Sequence, residues 1–170
     1  VAEYWRWLLG LLVICLVAAA AMAAVAAVAL NGRHAEQERE RRLRRIANLD
    51  RVDAMTGAEF KELTAELLRR DGFCSVLVVG GARGRGADIL ATCPDGRDIA
   101  VQYKRQKKKA TPGQVRGFIG ALHVTYSDCV GVFITSSTFT EQAMDEAAGR
   151  LLLIDRDRLA RWMDGDPLSL

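Results

Sequence analysis

The sequence predicts an α/β fold, a mixed central sheet flanked by helices in the order αβββαβαβα across residues 53–164, preceded by one transmembrane helix. Three observations carry that expectation. Helical and extended patterns alternate through residues 53–164 with no internal repeat. The turn Pro94-Asp95-Gly96-Arg97 joins two extended stretches closely enough to make them an antiparallel hairpin. Two continuous apolar runs, "CVGVFIT" from Cys129 and "LLLI" from Leu151, have the composition of strands covered on both faces.

With 170 residues, 50% hydrophobic and 26% charged, the chain has material for one compact domain and some surplus. The surplus lies at the front. Residues 8–30 carry no charge over 23 positions, and as helix that stretch measures roughly 34 Å, enough for a hydrocarbon core of about 30 Å. Tyr4, Trp5 and Trp7 supply interfacial anchors, so the expected transmembrane helix is 5–30. A cleaved signal peptide is the competing reading: Ala-x-Ala triplets favour it, and the length of the apolar run and the weakly basic start oppose it. Residues 31–52 read as a charged helical linker. Its cluster Arg33, Arg39, Arg41, Arg42, Arg44 and Arg45 predicts a single-pass protein in the cell membrane with its C-terminal domain in the cytoplasm.

Within 53–164, Thr56 and Glu59 form a capping box, Phe60, Leu63, Leu67 and Leu68 a helical stripe, and Gly72 stops the helix. "FCSVLVV" is the first strand. The glycine-rich "GGARGRGA" leads into "DILATC", the second, and the Pro-Asp-Gly-Arg turn leads into "DIAVQYK", the third. Thr111 and Pro112 open a helix through about Tyr126, with Val115, Phe118, Ile119 and Leu122 on its apolar face. After "CVGVFIT", Thr140 caps a helix over 141–150, "LLLI" adds a strand and "DRDRLARWM" closes the domain, leaving 165–170 as a tail. Cys74, Cys93 and Cys129 are odd in number and widely spaced, which argues against a disulfide framework or a paired-cysteine metal site. His34 and His123 are too few for a His-rich zinc centre.

The chemistry sits on the hairpin. Gln102 and Lys104 stand on one face of the third strand and Ile99, Val101 and Tyr103 on the other. Antiparallel pairing brings the start of the second strand, Asp88, opposite the end of the third, so Asp88, Gln102 and Lys104 converge if the register puts them on one face. A hard cation such as Mg²⁺ takes oxygen ligands, which Asp88 and Gln102 offer, while Lys104 suits a phosphate or an attacking water. Glu59 is a plausible fourth member, although capping explains it equally well. A solvent-facing strand would also carry Gln and Lys. The run Lys104, Arg105, Lys107, Lys108, Lys109 and Arg116, with no acid between Asp98 and Asp128, fits a polyphosphate backbone. It also fits a merely solvated loop. The glycine-rich segment precedes a strand rather than a helix, so neither nucleotide-binding fingerprint applies, and its glycines allow tight turning and close backbone approach.

In order, "MTGAEFKELTAELLRRDGF", "GADIL", "VQYKR", "GVFITSSTFTEQAMDEA" and "LLLIDRDRLARWM" resemble the Mrr-like type IV restriction endonucleases of the PD-(D/E)xK nuclease superfamily. The resemblance covers essentially residues 55–163. It implies a restriction-endonuclease-like fold and a DNA endonuclease dependent on Mg²⁺ or Mn²⁺, with Asp88, Gln102 and Lys104 matching the branch's Asp and Gln-x-Lys pattern. Asp88 and Gln102 are then the metal ligands, with Glu59 joining them in catalysis. DNA contacts are expected from Arg83, Arg85, Arg105, Lys107, Lys108, Lys109 and Arg116, and a homodimer is the simplest way to cut both strands. Two positions depart from the pattern: Lys61 follows Phe60 where relatives commonly carry Glu, and Gly84 stands where many carry Asp. Both remove negative charge near the expected metal, so two rival readings stand beside the nuclease: a DNA-binding module with weakened or lost catalysis, and a membrane-tethered protein-interaction scaffold.

Overall fold

The computed structural model describes residues 36–79 and 85–170, together with Met22, Ala27, Leu30 and Arg33. It divides into two compact units, Val1–Leu43 and Arg44–Leu170. In the first, residues 36–43 are helical and exposed. The expected membrane helix 5–30 lies outside the described residues except at Met22, Ala27 and Leu30, which are helical. Among the described residues no helix is long and apolar enough to cross a membrane.

The second unit opens with helix α1, residues 44–54, followed by α2 (Gly57–Arg70), β1 (Cys74–Val78), β2 (Ile89–Thr92), β3 (Asp98–Lys104), α3 (Pro112–Thr125), β4 (Val130–Thr135), α4 (Glu141–Ala147), β5 (Leu151–Ile154) and α5 (Arg156–Met163). The strands form one sheet in chain order. β1, β2 and β3 are antiparallel neighbours, whereas β4 runs parallel to β3 and β5 parallel to β4. This is the predicted mixed sheet. The β2–β3 register pairs Ile89 with Val101 and Thr92 with Asp98, which sets Asp88 beside Gln102.

Side-chain alternation divides the core between the two faces. Ile89, Ile99, Val101, Val132, Ile134 and Ile154 meet Phe60 and Leu68 of α2, Leu159 and Trp162 of α5 and Val52 of α1. On the other face, Ala100 and Phe133 meet Val115 and Phe118 of α3 and Ala143 and Ala147 of α4. Phe133 is edge-on to both Phe118 and Phe139, with ring centres 6.0 and 5.8 Å apart. Gly131 permits α3 to approach β4, since a Cβ there would come within 2.3 Å of Leu122 Cδ1 and 2.5 Å of Leu151 Cδ2.

The helix starts follow the sequence closely. Thr56 and Glu59 make both bonds of the capping box, and Thr111 with Gln114 makes another. Three details differ from expectation. α4 ends at Ala147 rather than running to Arg150, because Ala148 is extended and Gly149 takes a positive φ of 69°. β5 is an edge strand, so Leu151–Leu153 are only half-buried where the apolar run predicted cover on both faces. β1 is shorter than "FCSVLVV" and carries an irregularity between Cys74 and Leu77, with Ser75 at φ 53°.

Candidate active site

The site forms where the hairpin meets the base of the glycine-rich segment. Val79 N–H donates to the Asp88 carbonyl at 2.8 Å and Asp88 N–H to the Val101 carbonyl at 2.7 Å, so the segment leaves and re-enters the sheet at adjoining points. At its end Gly86 takes φ 100°, and a Cβ there would stand 2.4 Å from Ala121 Cβ. The return path therefore lies directly against α3. Residues 80–84, which include Arg83 and Gly84, lie outside the described residues.

Asp88 and Gln102 are brought together as expected. Gln102 Nε2 donates to Asp88 Oδ2 at 2.8 Å, and Tyr103 N–H donates to the same oxygen at 3.0 Å. The carboxylate is half-buried, and burial pushes its pKa above the usual 3.8. Against burial stand the Tyr103 N–H, the charges of Lys61 and Lys104, and the Gln102 amide. Lys104 is thus electrostatically part of the site; its carbonyl accepts from Ser136 N–H at 3.2 Å and from Thr135 Oγ1 at 3.1 Å.

Glu59 is engaged elsewhere. Its Oε2 accepts from Thr56 N–H at 2.6 Å, and its pKa is lowered mainly by that bond, then by the Thr56 hydroxyl. With Glu62 and Glu66 it lines a groove shared with Met55, Ala58 and Leu63, and its hydrogen bonds are with Thr56 rather than with Asp88 or Gln102. Among the described residues no three of His, Cys, Asp and Glu cluster as a metal site. Asp88 Oδ1 and the Gln102 amide oxygen are nonetheless hard donors on adjoining strands. Such a pair fits a largely hydrated Mg²⁺ whose remaining ligands are water and phosphate.

Lys61, read from the sequence as lost acid, occupies a specific place. Its Nζ donates to the Val79 carbonyl at 2.8 Å and stands 5.9 Å from the centre of the Tyr103 ring.

The basic residues fall into distinct groups. Lys107, Lys108 and Lys109 are exposed on the loop that continues β3, and Arg85 is exposed at φ 40°. Arg105 donates to the Asp53 carbonyl at 2.8 Å, and Arg116 pairs with Glu146 at 3.0 Å. The stretch is therefore without acids in sequence but not in space, because the fold brings Asp53 and Glu146 to it; the charges of Arg156, Arg105 and Lys107 all act on Asp53.

Sequence reasoning also missed what holds this loop. Ser136 Oγ accepts from Gln106 N–H at 3.0 Å, Ser137 Oγ donates to the Lys107 carbonyl at 3.2 Å, and Gln114 Nε2 donates to Gln106 Oε1 at 2.9 Å. The Thr111–Gln114 spacing of a capping box was the only available signal, and it marks Gln114 alone.

Comparison with known proteins agrees with this fold. The family model Mrr_cat, described as restriction endonuclease, matches residues 52–163. No curated protein matches the chain. Among solved structures, the restriction endonuclease MspJI, in complex with a 27-mer oligonucleotide, is similar over 71% of this chain and 31% of its own, with a TM-score of 0.53 and 19% identity. The DNA modification-dependent restriction endonuclease AspBHI is similar over 71% of this chain and 35% of its own, with a TM-score of 0.57 and 14% identity. The chain thus spans about a third of the length of either protein. Those two share its fold; the family match extends over most of the chain, which belongs to the restriction endonuclease family that Mrr_cat describes.

Proposed function

We propose that the chain is a DNA endonuclease that hydrolyses phosphodiester bonds with Mg²⁺ or Mn²⁺, anchored by an N-terminal membrane helix with its nuclease domain in the cytoplasm and acting as a homodimer. The observation that supports it is the Gln102–Asp88 hydrogen bond at the mouth of a basic loop, with Lys104 two residues along the same strand. Asp88 and Gln102 hold the cation, which supplies charge stabilisation at the phosphate. Lys104 orients the attacking water and offsets the negative charge that grows in the transition state. Lys107, Lys108 and Lys109 grip the phosphate backbone. The 27-mer oligonucleotide in complex with the structurally similar MspJI, and the description of AspBHI as DNA modification-dependent, agree with this substrate class.

A DNA-binding module with weakened catalysis is the second reading. It is favoured by the commitment of Glu59 to its cap and by the place of Lys61 beside the site. One experiment separates the two readings. The full chain is incubated with modified and unmodified duplexes and Mg²⁺, alongside Lys104→Ala and a Lys107, Lys108, Lys109→Ala triple variant. On the nuclease reading, Lys104→Ala nearly abolishes cleavage and keeps most DNA affinity, because the lost interaction belongs to the transition state. The triple variant binds every sequence more weakly and loses about 0.9 in the slope of log affinity against log salt for each phosphate contact removed. Wild-type binding without cleavage favours the module, and wild-type speed in Lys104→Ala refutes its catalytic role.

A further inference from the structure

Lys61 touches two residues whose backbone N–H groups both donate to Asp88. The Val79 carbonyl that accepts from its ammonium at 2.8 Å belongs to the residue whose N–H donates to the Asp88 carbonyl at 2.8 Å. The Tyr103 ring, 5.9 Å from the same ammonium, belongs to the residue whose N–H donates to Asp88 Oδ2 at 3.0 Å. These contacts hold a positive charge close enough to act on the Asp88 carboxylate, in a half-buried setting where charges are screened less than on open surface. Lys104 brings a second. Gln102, the other candidate ligand, is neutral, and among the described residues no three of His, Cys, Asp and Glu gather as a metal site.

The local charge is accordingly positive before any metal arrives, and a divalent cation makes it more so. We infer that Lys61 makes cation binding at Asp88 conditional on DNA: its ammonium opposes the cation in the free protein, and a duplex phosphate supplies the negative charge that admits it. This rests on the reading of Asp88 and Gln102 as cation ligands. Because coupling between two ligands is reciprocal, the cation tightens DNA binding by the same factor as DNA tightens the cation. A chain working this way holds little metal until it is on its substrate. The hydrogen bond to Val79 alone would make Lys61 a clamp on the glycine-rich segment, a role indifferent to charge.

The test is calorimetric titration of Mn²⁺ into the full chain, with and without a short phosphorothioate duplex that resists cleavage. Wild type is compared with Lys61→Gln, which keeps a donor but no charge, and with Lys61→Arg, which keeps the charge. Asp88→Asn identifies the heat that belongs to this site. Lys61→Gln is expected to bind Mn²⁺ about tenfold or more tightly in the absence of DNA, and to gain less from the duplex than wild type does. Lys61→Arg is expected to follow wild type. Asp88-dependent binding that Lys61→Gln leaves unchanged or weakens overturns the inference while the cation reading of Asp88 stands. So does a wild-type affinity that is the same with and without duplex, a result independent of how any variant folds. Absence of Asp88-dependent binding in every form, with or without duplex, overturns the cation reading and the inference together.

Discussion

Asp88 is held in a conflict between its burial and its polar partners. Burial raises its pKa in the fold above the 3.8 of an ordinary carboxyl, despite the Tyr103 N–H, Lys61, Lys104 and Gln102, which all favour the charged form. The folded state therefore binds this proton more tightly than the unfolded chain does. Stability is lost as pH rises through the folded pKa, and the ionised group is a net cost at neutral pH. Asp88→Asn is expected to raise the thermal midpoint at pH 7 by roughly a few degrees and to abolish cleavage. The gain should vanish in acid below the unfolded value. A midpoint that falls at pH 7, measured by differential scanning calorimetry, would contradict this account. The pairing of Asp88 with Gln102 was legible in the sequence because strand alternation and a tight turn fix a register. The part played by Lys61 was not, since it depends on where α2 lies against the hairpin, and residue type alone says only that an acid is missing.

At the scale of elements, Asp71 joins the end of α2 to α5 and the C-terminal tail. Its side chain is only 6% exposed, and its Oδ2 accepts from Trp162 Nε1 at 2.7 Å and from Leu168 N–H at 2.8 Å, while Arg70 binds Oδ1. Burial works to raise its pKa, but the bonds from Leu168, Trp162 and Arg70 together hold it below 3.8. A depressed folded pKa stabilises the fold above the unfolded value, and that contribution disappears as pH falls through the folded one. Asp71→Ala is expected to cost about 1–3 kcal/mol at pH 7, because two part-buried donors lose their acceptor. The gap between the two proteins should narrow as pH falls from 3.8 through the lower folded pKa, and urea melts at neutral and acid pH check this. The elements themselves were readable wherever a cap or a turn marks them: Thr56, Thr111, Thr140 and Asp155 each cap the helix that follows. Less readable were features set by neighbours, such as the half-cover of β5 at the sheet edge or the early end of α4. Local pattern does not record which strand is outermost.

At the scale of the whole molecule, on the membrane-anchored reading, the arginines from Arg33 to Arg45 predict that residues 31–170 remain in the cytoplasm and the chain ahead of the apolar helix lies outside. Protease added to intact cells should spare the domain and should digest it after lysis. Digestion from outside would reverse the orientation and revive the signal-peptide reading.

The loop that carries Lys107–Lys109 is bonded through Ser136, Ser137 and Gln114 to the end of β4 and the start of α3. The carbonyl of Lys104 accepts from the N–H of the same Ser136. On the nuclease reading, grip and cut are thereby mounted on one frame, at a spacing that backbone hydrogen bonds set. Such a frame works as a gauge. A duplex whose phosphates do not match the spacing must itself twist or bend to be cut, so differences in DNA stiffness become differences in cleavage rate, and a preference among sequences can arise with no side chain reading a base.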